Sequence, residues 1–203
     1  FTETVTNVTT DDFSVSGTTG TIASATDQGS NTYFITISGG DLASFNGTVF
    51  LGFRLSQNIT DTAGNALTNT SSIDPPQNYT VDNLAPTIAI SAPSVTDTNS
   101  GPVTYTITYT NADAVTLANG DISLNTTGTA NGNVAVTGTG TATRTVTISS
   151  ITGDGTIGIS LASGTASDTA GNTAVAAGPS ATFNVDNTAP TLSIGAPSAT
   201  DTN

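Results

Sequence analysis

Cysteine, histidine, lysine, methionine and tryptophan are all missing from these 203 residues. Without Cys and His there is no thiolate nucleophile, no disulfide, no imidazole base and no thiolate–imidazole zinc site. Without Lys there is no Schiff-base nitrogen, no phosphate-loop lysine and no Lys–Asn cross-link. Positive charge is nearly missing as well. Arg54 and Arg144 stand against 15 acids, of which Glu3 alone is Glu, so the net charge is −13. A surface of that sign is repelled by nucleic-acid phosphate and by anionic lipid, so the expected partners include neither nucleic acid nor an inserted membrane. No apolar run approaches the roughly 18 residues of a membrane span, and no stretch reads as a signal peptide. Aromatic residues are 5% of the chain. The only adjacent carboxylate pair, Asp11-Asp12, therefore lacks the ring platform that glycoside chemistry usually leans on, and no enzyme is expected.

What is present is Thr, Gly, Asn, Asp and Val in short alternating runs, the pattern by which a sandwich buries a core with few apolar residues. Charged residues are 8% of the chain, against about 25% in an ordinary soluble domain. Uncharged strand faces leave sheet edges poorly protected against pairing with other chains.

The strongest signal is internal repetition. VDNLAPTIAISAPSVTDTN begins at Val81 and VDNTAPTLSIGAPSATDTN at Val185, an offset of 104 residues. DTAGN occurs at Asp61–Asn65 and Asp168–Asn172, an offset of 107. Weaker matches join Asp12-Phe-Ser-Val to Asp121-Ile-Ser-Leu, Phe34-Ile-Thr-Ile-Ser to Thr145-Val-Thr-Ile-Ser, and Gly47-Thr-Val to Gly155-Thr-Ile. A period near 100 residues is one sandwich domain rather than a solenoid turn.

The second repeat reads as strands over Thr87–Ser91, Val103–Thr110, Asp121–Asn125, Asn133–Gly138, Thr139–Ser149, Thr156–Ala162 and Ala181–Val185, with Gly, Asn, Asp and Pro in the gaps. Val103, Tyr105, Ile107 and Tyr109 fall on one face, four Thr on the other. The expected organisation is 1–83 as a first repeat without its first strand, 84–187 as a complete second repeat, and 188–203 as the first strand of a following one.

A DTAGN loop, a closing ATFNVDN strand and a TAPT linker together resemble the bacterial immunoglobulin-like repeats of very large secreted adhesins and surface fibres. The resemblance covers nearly the whole chain. It implies tandem seven-stranded immunoglobulin-like sandwiches, an extracellular or cell-surface location, a spacer role, and Ca²⁺ bound near domain junctions. The neighbours it implies are repeats of the same or an identical chain, joined head to tail. The linker departs from the Glu-rich, DxNDN pattern of cadherins.

The acids shared by both repeats lie in three places. Asp61 and Asp168 open the DTAGN loops, with Asn65 and Asn172 closing them. Asp82-Asn83 and Asp186-Asn187 sit in the linkers, and Asp97 and Asp201 in the TDTN strings. One reading is a junction Ca²⁺ drawing on these oxygens. The other is turn chemistry, because Asp and Asn make Asx-turns and Gly supplies positive φ. Asn83-Leu84-Ala85 alone separates the strand end from Pro86, and Pro biases its predecessor towards extended geometry, so a stiff connection is expected.

Thr stands at every second position from Thr137 to Thr147. Ice-binding surfaces use such rows, but they need several in register; one row reads as a soluble outer face. In the first repeat, Phe34, Phe50 and Ile37 are expected in the core. Val5-Thr-Asn aligns with Tyr109-Thr-Asn, again 104 apart, which sets Phe1 against Tyr105 and leaves Leu84–Thr104 without a counterpart. The spare copy Thr191-Leu192-Ser193-Ile194-Gly195 is then either the start of a further repeat in a long array or a strand donated to another subunit. Head-to-tail exchange of that kind builds filaments.

Overall fold

The computed structural model describes residues 1–68, 77–196 and 198. The described chain is all-β apart from two single 3₁₀ turns. No helix among the described residues is long and apolar enough to cross a membrane. Contacts divide it into two units, Phe1–Leu84 and Ala85–Asn203. Asp201 lies outside the described residues.

Unit 1 contains β1 (Val5–Thr6), β2 (Phe13–Ser16), β3 (Thr21–Asp27), β4 (Tyr33–Ser38), β5 (Gly47–Phe53), β6 (Thr60–Asp61) and β7 (Gln77–Val81). β2, β5 and β7 form one sheet in that order; β3 pairs with β4, and β1 with β6. Its fully buried hydrophobics are Phe13, Val49 and Ile59. Around Phe13 the rings of Phe53, Tyr33 and Phe1 stack edge to tilt, with centroids 5.5 to 6.4 Å apart.

Unit 2 contains β8 (Thr87–Ile90), β9 (Asp97–Thr98), β10 (Val103–Thr110), β11 (Ala114–Val115), β12 (Ile122–Thr126), β13 (Asn131–Thr137), β14 (Thr143–Thr152), β15 (Gly155–Leu161), β16 (Ala166–Ser167) and β17 (Phe183–Val185). Two four-stranded sheets, β13-β14-β10-β8 and β12-β15-β17-β9, enclose one core. The period-two pattern dictates which residues enter it. Val103, Tyr105, Ile107 and Tyr109 of β10, Val146 and Ile148 of β14, and Ile157, Ile159 and Leu161 of β15 are all buried. Tyr105 ties the sheets together, its hydroxyl donating to Ala181 O at 3.0 Å and Ile157 O at 3.4 Å. The turn into β15 needs glycine: Gly128 has φ +61°, and a Cβ there would sit 2.3 Å from Asp154 O.

Three expectations need correction. Phe34 and Phe50 are exposed, and Ile37 is only half-buried. On β4 the pleat turns Tyr33, Ile35 and Ile37 inward, so Phe34 between them faces out. On β5 Val49 goes in and Phe50 out. The alternating Thr run is not one strand either. Gly138 and Gly140, at φ +105° and +82°, turn the chain, so Thr139 and Thr141 lie between β13 and β14. The second Thr row comes instead from β10, where Thr104, Thr106 and Thr108 stand opposite Thr147, Thr145 and Thr143.

The alignment of the first residues also shifts. Val5–Thr6 pair with Thr60–Asp61 much as Ala114–Val115 pair with Ala166–Ser167. A 3₁₀ turn ending at Asp12 leads into β2, as one ending at Asp121 leads into β12. These pairings put Val5 in a setting like that of Ala114 rather than that of Tyr109.

Candidate junction site and acidic loops

Each linker is clipped to the unit it leaves. In unit 1 the Asn83 backbone N–H donates to Asn46 Oδ1 at 2.6 Å. The Asn83 side-chain amide donates to Phe45 O at 2.8 Å and Leu42 O at 3.1 Å. In unit 2 the Asn187 N–H donates to Asp154 Oδ1 at 2.6 Å, and its amide to Gly153 O at 2.6 Å. Thr188 Oγ1 adds a bond to Asp154 Oδ2 at 3.1 Å. Asp82 Oδ1 accepts Leu84 N–H and Asp186 Oδ1 accepts Thr188 N–H, both at 2.9 Å, which closes an Asx-turn in each linker. Two turns of the same chemistry therefore fix the departing backbone against the loop that precedes β5 or β15.

The DTAGN loops are closed units of their own. Asp61 Oδ1 accepts the N–H groups of Ala63 and Asn65, each at 2.8 Å, and its Oδ2 accepts the Asn65 amide at 2.7 Å. Asp168 Oδ1 accepts Asn172 N–H and its Oδ2 the Asn172 amide, both at 2.8 Å. These bonds favour the ionised carboxylate. The Asn65 side chain, foremost, holds Asp61 below its ordinary value, and the Asn172 side chain does the same for Asp168. Asp97 lies elsewhere, at the β9 edge. Its Oδ1 accepts the Asn184 amide at 2.9 Å, the main reason its pKa is also lowered. Asp186 N–H donates to Thr98 O, which brings Asp97 and Asp186 to the same parallel ladder.

These donors decide how well Ca²⁺ suits the acids. A Ca²⁺ ligand shell needs bare oxygens converging on one point. Here N–H or O–H groups of the chain face both oxygens of Asp61, Asp168, Asp154 and Asp97. No group of three or more acidic side chains is gathered among the described residues. The donor set at these four acids fits turns.

Sequence reasoning missed three structural acids and one amide. Asp12 is 3% exposed, with Oδ2 accepting Thr9 N–H at 2.7 Å and Oδ1 accepting Asn58 N–H at 3.1 Å. That carboxylate is a clamp on its own turn, and Asp121 similarly accepts Ala118 N–H at 2.8 Å. Asn46 and Asp154, the linker acceptors, each directly precede the matched Gly47-Thr and Gly155-Thr pairs, and that adjacency was the available signal. Arg144 is buried, with its guanidinium donating to the carbonyls of Gly140, Thr143 and Val115.

The spare segment Thr191–Gly195 carries no strand, and Leu192 and Ile194 are each 86% exposed. Among the described residues, the strand it copies, β8, pairs only with β10. In unit 1, β4 pairs with β3 alone among the described residues, whereas β14 lies between β13 and β10. No family model, curated protein or solved structure matches this chain.

Proposed function

We propose that the chain is a stiff spacer in a large bacterial surface adhesin or fibre, made of tandem copies of one immunoglobulin-like sandwich and working outside the cell. The observation that carries this reading is the pair of linker clips. Asn83 and Asn187 spend backbone and side-chain donors on the loop behind them. A linker with its first residues so held has few free torsions left before the proline at 86 or 190. We read these hydrogen bonds as fixing the direction in which the linker leaves its unit. The test uses the absence of Cys: Ser24→Cys and Thr106→Cys give two unique label sites, one per unit. A narrow distribution of label–label distance is expected, broadened by Asn83→Ala. A broad distribution in the chain with Asn83 intact would defeat the spacer reading.

A second reading, a filament subunit exchanging Thr191–Gly195, draws on the exposure of Leu192 and Ile194. It is the weaker one, because β8 bonds to β10 and no strand of that kind stands in unit 1 among the described residues.

A further inference from the structure

We propose that Asn131-Gly132, at the start of β13, is a modification site at which water converts Asn131 to aspartate and isoaspartate without an enzyme. The proposal stands apart from the spacer reading. The chain holds three Asn-Gly pairs, beginning at Asn46, Asn119 and Asn131. In such a pair the glycine nitrogen attacks the asparagine Cγ. The new N–Cγ bond closes a succinimide ring, the Cγ–Nδ2 bond breaks, and the proton lost by the glycine nitrogen leaves with ammonia. Water then opens the ring at either carbonyl, giving aspartate or isoaspartate. All three asparagines are exposed, so access to water does not rank them.

Hydrogen bonding ranks them. Asn46 Oδ1 accepts the Asn83 N–H at 2.6 Å, and its amide donates to Ser44 O at 3.4 Å. Asn119 Oδ1 accepts the Val136 N–H at 2.7 Å. Ring closure at either must first break a bond to a distant part of the chain. Asn131 Oδ1 instead accepts the N–H of Gly132 itself, at 2.8 Å. That contact folds the side chain back onto the nitrogen that attacks it, with Cγ one bond from the accepting oxygen. Held proximity of this kind speeds an intramolecular attack. Packing imposes the glycine as well. A Cβ at Gly132 would lie 2.8 Å from Ile148 Cγ2, so a side chain there would collide with β14. Unit 1 repeats the glycine without the asparagine. Thr21 pairs with Ser38 as Asn133 pairs with Ser149, and Ile22 with Ile37 as Val134 with Ile148, which sets Thr19-Gly20 at this place. A Cβ at Gly20 would lie 2.9 Å from Leu42 Cδ1 and 3.3 Å from Ile37 Cγ2. Glycine thus belongs to the fold, and Asn131 to unit 2 alone. Conversion adds a negative charge, and the isoaspartate route inserts an extra backbone carbon beside the Asn131–Thr152 pairing.

The test incubates the 203-residue chain for several weeks in mildly alkaline buffer, folded and in denaturing urea. Fragmentation mass spectrometry that separates aspartate from isoaspartate follows each Asn-Gly pair. A tertiary hydrogen bond of the kind that holds Asn46 and Asn119 slows ring closure by about two- to tenfold. In the folded chain Asn131 should therefore convert at least about threefold faster than either, and in urea the three rates should converge. Asn131→Thr, which installs the residue found in unit 1, should abolish the mass gain at this position and leave the melting midpoint within about 4 °C. A folded chain in which Asn131 converts no faster than Asn46 or Asn119 would overturn the proposal. So would the same ranking in urea as in the folded chain, since neighbouring sequence and not the fold would then set the rate.

Discussion

Replacing Tyr105 separates two contributions to the unit 2 sandwich. The side chain is 0% exposed, lies 6.5 Å from the Phe183 ring, and donates to Ala181 O and Ile157 O. Tyr105→Phe removes only the donor. Ala181 O keeps the Ser180 hydroxyl at 2.8 Å, so it is not left bare. The cost should sit low in the range for a lost buried hydrogen bond, about 1 kcal/mol. Tyr105→Ala also empties the volume of a fully buried ring, which costs about 3–5 kcal/mol. In a domain of this size each kcal/mol lowers the midpoint by about 4–8 °C. The Phe variant should then melt about 4–8 °C lower, and the Ala variant should lose most of its cooperative transition. Calorimetry of the full chain, following the unit 2 transition, measures both. Equal costs for the two variants would refute the reasoning, because the cross-sheet hydrogen bonds and not the packing would then hold the sheets together.

Phe50→Ala should cost about 1 kcal/mol or less, since the ring is 46% exposed and its truncation opens to solvent, whereas Ile157→Ala should cost about 2–5 kcal/mol, both read by denaturant titration. The pKa values of Asp61, Asp97 and Asp168 are lowered in the fold, so their contribution is present above the ordinary value of 3.8 and lost as pH falls through the lower folded values. Melting midpoints should hold at neutral pH and fall below about pH 4, less steeply in Asp61→Asn and Asp168→Asn. Burial raises the pKa values of Tyr105 and Tyr109, so the stability of unit 2 is intact below 10.0 and declines as pH rises beyond it, visible as alkaline unfolding by circular dichroism. Calcium at millimolar concentration should leave the midpoint where EDTA leaves it, because N–H donors already face the carboxylates it would need.

Strand positions in unit 2 were legible because period-two burial writes itself into the sequence. Val103–Thr110 is the same in both readings, and most other strands move by a few residues at an end. The longest error, Thr139 to Thr143, arose because Gly138-Thr-Gly140 alternates like a strand while its glycines take positive φ. Faces in unit 1 were harder. Large rings read as core, yet Phe34 and Phe50 obey the pleat of neighbours that are already inward. A pleat has two sides, and size alone does not choose between them. The acids were located well and interpreted less well. Their positions follow from the repeat, whereas the direction of each N–H is a product of the fold.

That direction bears on how a chain of net charge −13 holds its linkers. Acids near a junction repel one another unless something neutralises them, and a bound cation is one solution. Backbone and Asn N–H donors are another, carried by every repeat and independent of the medium. At Asp186-Asn187-Thr188 the charges of Asp186 and Asp154 each meet such donors, at 2.9 and 2.6 Å respectively. At Asp82-Asn83 the acceptor equivalent to Asp154 is Asn46, so one charge is removed outright. The same turn therefore forms with either a carboxylate or an amide as acceptor. The carboxylate adds charge assistance that the amide lacks, so Asn46 and Asp154 make the same backbone contact at different charge.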